Sequence, residues 1–421
     1  MPTSTPTAVT PTAATPARAP EPPTTAATHR MTTPLLVTLA LLTGIAPFAT
    51  DMYLAAFPAL ADDLGTSASG VQLTLTSFLV GLAVGQVVLG PLSDQRGRRR
   101  LLLVGAAVTV LASVACALAP SIGVLVAARF VQGVAGAAGI VLARAVVTDV
   151  AHGVAAARVF SMLMVVQGVA PIVAPLAGSA LFVAAGWRSV FWALTGLSAV
   201  MLVAAALAVP ETLPVERRST GGTARLRADA ARVLGDRRFV AYLVGFVASF
   251  AIFFAYIAAS PFVLQTMLGL SAGQYAAAFA VNALGIMLSS AVAGRLVGRV
   301  DPRRLVLVGA AGLTLASVAL LTTALLGAVT LWPTLVAFFL VPTSLGLVAG
   351  NATMLAMARA PQAPGTASAL LGALQFLLAA VVSPLVGAGG ETTTLPMAVT
   401  MSVAAVLVVG GFAVATRTEA P

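Results

Sequence analysis

Asp51 is the residue of this chain whose type and position most clearly suggest chemistry. It lies within an apolar run that begins near Pro34, so an α-helix would place it about 25 Å from the start of that run. A carboxylate is costly inside a bilayer and marks a functional site by default. Because a low-dielectric interior favours the neutral carboxyl group, Asp51 is a candidate for reversible proton binding. The alternative is an acid at a helix end that faces water.

Arg129 is the second charge that falls within an apolar run, about 12 Å from the end of the fourth run. A guanidinium stays charged in proteins and needs a partner or water. Asp51 is the acid at a comparable depth, so we predict that the two residues interact and that Arg129 tunes the proton site. The alternative is an arginine whose head group reaches back to the membrane surface.

The composition determines the class of protein in which these charges lie. Of the 421 residues, 59 % are hydrophobic and 9 % are charged. A soluble domain is about a quarter charged, so a soluble enzyme and a disordered scaffold are excluded. Cys116 is the one cysteine, which excludes an internal disulfide framework. The composition therefore predicts an all-α polytopic membrane protein.

Twelve apolar runs are each long enough to cross about 30 Å of hydrocarbon as a helix. Only helices and closed barrels satisfy the backbone in lipid, and runs of this length are helices. The predicted spans are 34–57, 71–92, 101–119, 122–147, 160–184, 188–209, 239–260, 275–298, 304–327, 331–357, 366–388 and 395–415.

The arginines predict the orientation. The net charge is +10, the 23 basic residues are all arginines, and all but Arg188 and Arg129 fall on one side of the predicted bundle. Cytoplasmic loops carry the excess of positive charge, so both termini are expected in the cytoplasm of a multi-pass protein of the cell inner membrane. The placement in short loops favours contact with the lipid bilayer over a nucleic-acid partner.

A repeat predicts two halves of six spans each. The segment Tyr53–Pro58 recurs as Tyr256–Pro261, and Gly90–Arg100 recurs with lower similarity as Gly294–Arg304. Duplicated halves of this kind are typical of secondary transporters, whose site lies between them near the membrane midplane. The predicted units are a disordered cytoplasmic tail (1–33), two six-helix bundles (34–210 and 239–415), a cytoplasmic linker (211–238) and a final cytoplasmic tail (416–421). Met31 is an alternative start, so translation of residues 1–30 stays open.

The loop after the second span resembles the cytoplasmic loop signature of the major facilitator superfamily. The matching residues are Gly90, Leu92, Asp94, Gly97, Arg98 and Arg99. Asp94 can neutralise nearby arginines and the N-terminus of a neighbouring helix, so we expect a conformational latch that breaks as the halves rock. In the second copy Gly298 replaces Asp94, which predicts a weaker latch there. The alternative is a positively charged anchor on the membrane surface.

The fifth span resembles the antiporter signature of the same superfamily. It carries Gly168, Pro171, Pro175 and Gly178, while Ala170 replaces the glycine before the first proline. Such a proline-bent stretch of small residues would let helices pack closely while the halves move. The alternative is ordinary close packing of membrane helices at small residues.

Aromatic and polar residues of several spans could line a substrate cavity, because pockets are mostly apolar with a few polar groups. The candidates are Tyr53, Phe253, Phe254, Tyr256, Asn282 and Gln375, each of which could instead belong to the core or face lipid. No phosphate-binding loop, metal-ligand spacing or catalytic triad is present in the sequence. We therefore expect no enzyme activity, metal or cofactor, and a proton gradient as the driving force.

Several segments resemble the Bcr/CflA drug-resistance family. The similar segments are Thr50–Leu54 with Pro58, Gln72–Thr76, Gly90–Asp94 and Ala170–Pro175, while Ala55 departs from the proline often found in that family. The resemblance implies a major facilitator fold and a monomer that exports small hydrophobic drugs, such as chloramphenicol-like antibiotics, in exchange for protons. It also implies that Asp51 couples proton and drug, with Arg129 assisting.

Three alternatives to drug export stay open from the residues alone. They are export of an endogenous metabolite such as a sugar, an amino acid or a self-made antibiotic, proton-coupled uptake by a symporter, and a membrane sensor that transports nothing. A sensor has no need of an acid within the membrane, whereas proton coupling can drive transport in either direction.

Overall fold

The computed structural model describes residues 31–151, 153–218 and 223–417, and within these ranges the chain forms helices and no strand. Twelve helical segments are long and apolar enough to cross a membrane, which confirms the predicted all-α fold. The predicted disorder of the first tail falls almost wholly outside the described residues. The helices are α1 (Thr33–Asp51), α2 (Phe57–Asp63), α3 (Ala68–Arg96), α4 (Arg98–Ala117), α5 (Ile122–Val150), α6 (Gly153–Ala185), α7 (Trp187–Ala208), α8 (Thr223–Gly235), α9 (Arg237–Pro261), α10 (Ala272–Leu296), α11 (Pro302–Leu325), α12 (Leu331–Met357), α13 (Pro364–Val386) and α14 (Leu395–Arg417).

The helices begin where the sequence supplies an N-cap. The side-chain oxygens of Thr32, Ser67 and Ser121 accept backbone N–H groups in the first turns of α1, α3 and α5. Ser271 and Gln274 form a reciprocal capping box at the start of α10. Each cap satisfies a backbone donor that the helix itself leaves free, so polar residues between the apolar runs fix where the spans begin.

The two copies of the six-residue repeat mark breaks in the helices. The first span stops at Asp51, passes through a 3-10 turn at Leu54–Ala56 and resumes as α2, whose first turn contains Pro58. In the second half α9 reaches Pro261 and continues as a π-helix over Phe262–Met267. Proline lacks the backbone N–H that a continuous α-helix needs, so the repeated prolines explain why both spans become irregular. The hydrophobic pattern had predicted a continuous helix for each of these spans.

Glycine allows the helices of the first half to approach closely. A Cβ atom on Gly133 of α5 would lie 2.1 Å from the Phe78 carbonyl oxygen of α3. A Cβ atom on Gly81 of α3 would lie 2.3 Å from the Phe130 carbonyl oxygen of α5. Membrane helices associate by such backbone contact because lipid supplies no hydrophobic drive between them. The α3–α5 pair thereby forms a rigid core of this half.

The two ends of the bundle differ. We call the end that holds the start of α1 and the end of α14 the terminal end, and the opposite end the far end. At the far end Phe57 of α2 packs against Phe262, with ring centroids 6.0 Å apart. Two hydrogen bonds join the halves across the described membrane helices, and Gln72 near the far end makes both. The polar connection between the halves contains α8, which packs against α9 and α13.

Candidate functional site

Asp51 lies where the first span breaks. It is the last residue of α1 and is 5 % exposed. The neighbouring Thr50 hydroxyl donates to the Ala46 carbonyl oxygen at 3.0 Å. No ion pair joins Asp51 to a basic residue of the described chain. The 3-10 turn that follows it, Leu54–Ala56, packs against α9 and α10, so the break at Asp51 lies beside the second half.

Arg129 is held by aromatic rings rather than by an acid. Its side chain is fully buried, and its guanidinium carbon lies 4.5 Å from the Tyr53 ring centroid and 4.2 Å from that of Phe78. Its Nη1 donates to Gln132 Oε1 at 2.6 Å, and Gln132 in turn donates to Ser113 at 2.8 Å. Nε and Nη2 have no hydrogen-bond partner among the described residues. A cation between two ring faces is stabilised by the electron-rich π systems.

The expected contact between Asp51 and Arg129 is therefore wrong. The two residues have similar depth, but depth does not fix direction. The chain turns after Asp51, and the turn points Tyr53 into the first half, where its hydroxyl lies 3.1 Å from that of Thr74. Tyr53 is fully buried against Arg129, Phe57 and Phe191. Tyr53 exposes no surface in this arrangement, and its role as a substrate residue stays a prediction.

Four of the other predicted substrate residues come together in the second half. Tyr256 accepts a hydrogen bond from Asn282 Nδ2 at 2.9 Å and packs against Phe338 at 5.0 Å between ring centroids. Both Tyr256 and Asn282 are buried, whereas Phe253 is partly exposed. Its ring lies 5.7 Å from that of Phe254. The cluster thus offers an aromatic surface at Phe253, with Tyr256 behind it.

Gln375 extends this cluster onto α13. Its neighbour Phe376 packs against Phe254 with ring centroids 6.0 Å apart. The Oε1 atom of Gln375 is buried without a hydrogen-bond partner. Buried polar atoms are normally satisfied, so this oxygen is an acceptor available to a ligand or to water.

The loop motif forms a charged cluster inside the first half. The Arg98 guanidinium donates to Asp94 and to Ser93, and to Asp149 Oδ2 at 3.2 Å. The Arg98 backbone N–H donates to Glu211 Oε1 at 2.9 Å. Gly97 adopts φ +94°, in the left-handed region that favours glycine. The cluster ties the ends of α3 and α5 and the segment after α7 to the start of α4.

These partners correct the predicted latch. Arg99 donates to the carbonyl oxygens of Val209 and Ala206, both at 2.9 Å, so it too binds the first half. Every hydrogen bond of this motif between described residues stays within the first half and the start of the linker at Glu211, and none reaches the second half, so rocking of the halves would not break it directly. Gly90 has room for a Cβ atom and keeps a helical backbone. In the second copy the Asp301 side chain caps α11 by accepting the Arg303 N–H at 2.9 Å.

Asp149 and Glu211 are partners of this motif that were not among the residues predicted from the sequence. Each lies two residues after the end of a predicted span, on the same side of the bundle as the loop motif. Their signal was therefore positional: an acid at the end of the fourth run and another after the sixth. Only the packing of α5 and α7 beside α4 brings them to Arg98 and Arg99.

The fifth-span motif lies against the break beside Asp51. A Cβ atom on Gly178 would lie 1.8 Å from the Met52 carbonyl oxygen, so only glycine fits there. Gly168 lies on the side of α6 that faces α10. A Cβ atom on Gly168 would lie 3.7 Å from Met287 Cγ. Pro171 and Pro175 lie within α6 between these two contacts. The motif thus connects the Asp51 break to the second half.

A small cavity of about 20 Å³ lies inside the first half. Ser198 lines it, and the Ser198 hydroxyl is buried without a partner. A space of this size holds one water molecule. It is too small for a substrate, which must bind elsewhere.

Comparisons with known proteins agree with this architecture. The family model described as Major Facilitator Superfamily matches residues 39–384. An uncharacterized MFS-type transporter, YdgK of Bacillus subtilis, is 39 % identical over 88 % of this chain and 92 % of its own length. A bicyclomycin resistance protein homolog of Haemophilus influenzae is 32 % identical over 88 % of this chain and 93 % of its own length. The multidrug resistance protein MdtL of Klebsiella pneumoniae is 30 % identical over 68 % of this chain and 73 % of its own length.

Solved structures support the same fold. The crystal structure of a D-xylose–proton symporter superposes with a TM-score of 0.69 at 17 % identity, covering 89 % of this chain and 96 % of that one. A POT family transporter in complex with 5-aminolevulinic acid superposes with a TM-score of 0.71 at 10 % identity, covering 91 % and 96 %. Identities this low show the fold alone. The matched family model and the resistance-protein relatives show that the chain belongs to the major facilitator superfamily and, within it, to the Bcr/CflA drug-resistance family.

Proposed function

We propose that this membrane transporter exports small hydrophobic drugs in exchange for protons by alternating access. The observation that carries the proposal is the Asp51 carboxyl group, buried at a helix break that packs against α9 and α10 of the second half. An ionisable residue within a membrane span marks an ion or substrate pathway by default. The relatives named for bicyclomycin and multidrug resistance favour drugs as the cargo.

Proton and drug would use the site in turn. An ionised Asp51 favours a drug whose polar hydrogens face the carboxylate, and protonation removes that charge and weakens the drug's hold. The partly exposed Phe253 ring and the unpartnered Gln375 Oε1 supply an apolar surface and one more acceptor. Most ligand sites combine surfaces of these two kinds. Chloramphenicol-like antibiotics carry both an aromatic ring and hydroxyl donors, so they are suitable first substrates.

The arginines support the orientation that the proposed exporter needs. We assign the terminal end to the cytoplasm because cytoplasmic loops carry the excess of positive charge. One proton moving inward down a membrane potential supplies about 2.3 kcal/mol per 100 mV. That free energy sustains roughly a fifty-fold gradient of a neutral drug. The proposed antiporter acts as a monomer and needs no cofactor beyond the proton gradient.

Proton release from the purified protein tests the proposal. Chloramphenicol is added to detergent-solubilised protein in a weakly buffered solution with a pH indicator. We expect wild type to release protons and Asp51→Asn to release none, because the variant has no carboxyl proton to lose. Asp63→Asn is the matched control: Asp63 lies in the same span but bonds Trp187 and Arg188 near the surface. Its release should equal that of wild type.

Two results would contradict the proposal in different ways. Release that persists in Asp51→Asn would remove Asp51 from the proton step. A folded wild type that releases no protons with chloramphenicol, bicyclomycin or a sulfonamide would argue against drug export. That result would favour export of an endogenous metabolite or proton-coupled uptake.

A further inference from the structure

Gln72 connects the two halves near the far end. It lies in the second turn of α3 and is 1 % exposed. Its Nε2 donates to the Ala258 carbonyl oxygen of α9 at 3.0 Å. Its own backbone carbonyl oxygen accepts the Ser383 hydroxyl of α13 at 3.5 Å. One residue of the first half therefore bonds two helices of the second half.

The Ala258 carbonyl oxygen is free for this bond because α9 loses its regular pattern there. In a continuous α-helix, the N–H four residues later bonds each carbonyl oxygen. For Ala258 that donor is the Phe262 N–H, which bonds the Ala259 carbonyl oxygen instead. The change occurs where Pro261 leads into the π-helix. The irregularity after the repeated proline thus supplies the acceptor for Gln72.

Gly387 makes room for the other side of the Gln72 amide. A Cβ atom on Gly387 would lie 2.2 Å from Gln72 Oε1 and 2.9 Å from Gln72 Cδ. The Gly387 backbone has φ −85° and ψ −3°, a conformation that alanine adopts as readily. The close approach of Gln72 therefore requires glycine at this position, whereas the backbone dihedral angles do not.

We propose that Gln72 and Gly387 form a far-end lock, a contact that holds this end closed and must separate when it opens. Closure buries Gln72 Oε1 without a donor, which weakens the contact because buried polar atoms are costly when unsatisfied. A contact that is sterically specific but only weakly favourable can be made and broken in each cycle. The inference requires only that the protein is a transporter, and it is independent of proton coupling and of the drug.

Distances between spin labels test the far-end lock. Cys116→Ser removes the native thiol, and Leu118→Cys and Leu326→Cys place nitroxides at the far end of each half. Both leucines are well exposed, at 63 % and 74 %. Pulsed electron resonance on this labelled protein in nanodiscs gives the ratio of long (open) to short (closed) distances. The readout is a conformation, so its failure cannot be confused with a failure of transport.

Four variants are compared in that background. We expect Gly387→Ala to raise the open-to-closed ratio, because its methyl group collides with Gln72 Oε1. Gln72→Ala should raise the ratio by about fivefold through loss of one hydrogen bond. The double variant should be no more open than Gln72→Ala alone, because the colliding amide is gone and the remaining neighbour, the Ser69 hydroxyl at 2.9 Å from the Cβ position, can rotate away. Gly365→Ala, in the same helix with nothing within 4 Å of its Cβ position, should leave the ratio unchanged.

The double variant separates a lock from general damage. A double variant more open than either single variant would overturn the proposal, since independent defects add. An unchanged ratio in both Gly387→Ala and Gln72→Ala would overturn it as well. Elution as a single symmetric peak in size-exclusion chromatography confirms that each variant is folded.

Discussion

At the scale of residues, the two charges inside the membrane have different surroundings. Asp51 ends its helix at a break that packs against α9 and α10 of the second half. Arg129 is enclosed by the rings of Tyr53 and Phe78 and bonds Gln132. The cation is thereby separated from the acid that would otherwise neutralise it. An acid without a paired cation is free to change its protonation state, whereas a salt-bridged acid resists protonation.

Phe78→Ala tests how much this enclosure stabilises the fold. The substitution removes one of the two rings against Arg129 and leaves a cavity beside a buried cation. We expect a loss of roughly 3 kcal/mol or more in unfolding free energy, measured by denaturation in mixed micelles. Phe130→Ala is the control, because that ring is 38 % exposed and should cost far less. Equal losses in the two variants would show that the cation contributes little.

At the scale of elements, α6 holds the broken first span in place. Its Gly178 lies against the Met52 carbonyl oxygen, one residue beyond Asp51, and its middle approaches Met287 of α10 at Gly168. The charged cluster around Arg98 fixes the opposite end of the same half by joining α3, α4 and α5. The first half therefore behaves as a rigid body that carries Asp51 at one fixed place.

Gly178→Ala should directly disturb the position of Asp51 at the helix break. A methyl group cannot fit 1.8 Å from a backbone oxygen, so α6 must move away and overpacking of this kind costs about 1–3 kcal/mol. We expect a lower melting temperature and loss of drug-induced proton release together. Gly196→Ala in α7 is the matched control, because its Cβ position has nothing within 4 Å. A Gly178→Ala protein that keeps wild-type stability and release would contradict the role given to this contact.

At the scale of the whole molecule, the halves meet at the far end through apolar, polar and charged contacts. Phe57 packs against Phe262, and Gln72 bonds Ala258. Glu391, in the connection between α13 and α14, approaches Asp62 at the end of α2. Partial burial, and secondly the negative charge of Asp62, raise the pKa of Glu391 above its ordinary value of 4.5. Closing this end therefore brings two like charges together.

Closure of the far end should depend on pH through Glu391. Above its raised pKa the ionised carboxylate opposes closure, whereas below pH 4.5 it is protonated in both the open and the closed form. We therefore expect Glu391→Gln to lower the open-to-closed ratio at pH 7.5, and the difference from wild type to vanish as the pH falls below 4.5. The same spin-label distances measure this effect. Glu216→Gln, on the exposed segment before α8, is the control, and a pH-independent difference would contradict the argument.

The sequence by itself determined the twelve spans, the repeat and the isolation of Asp51. These features are local, since hydrophobic length, proline position and charge can be read along one run of residues. The same local reading found Phe253, Phe254, Tyr256 and Asn282 because their helices already lie in one half.

Only the tertiary structure decided which groups face each other. Tyr53 and Arg129 lie on the same side of the Asp51 break. The arginine motif binds Asp149 and Glu211. Gln72 lies against Gly387. Each residue step along a helix rotates the side chain by about 100°, and a break such as that after Asp51 resets the rotation. Depth in the membrane and composition do not specify the direction in which each side chain points, so contacts between helices follow only from how the helices pack.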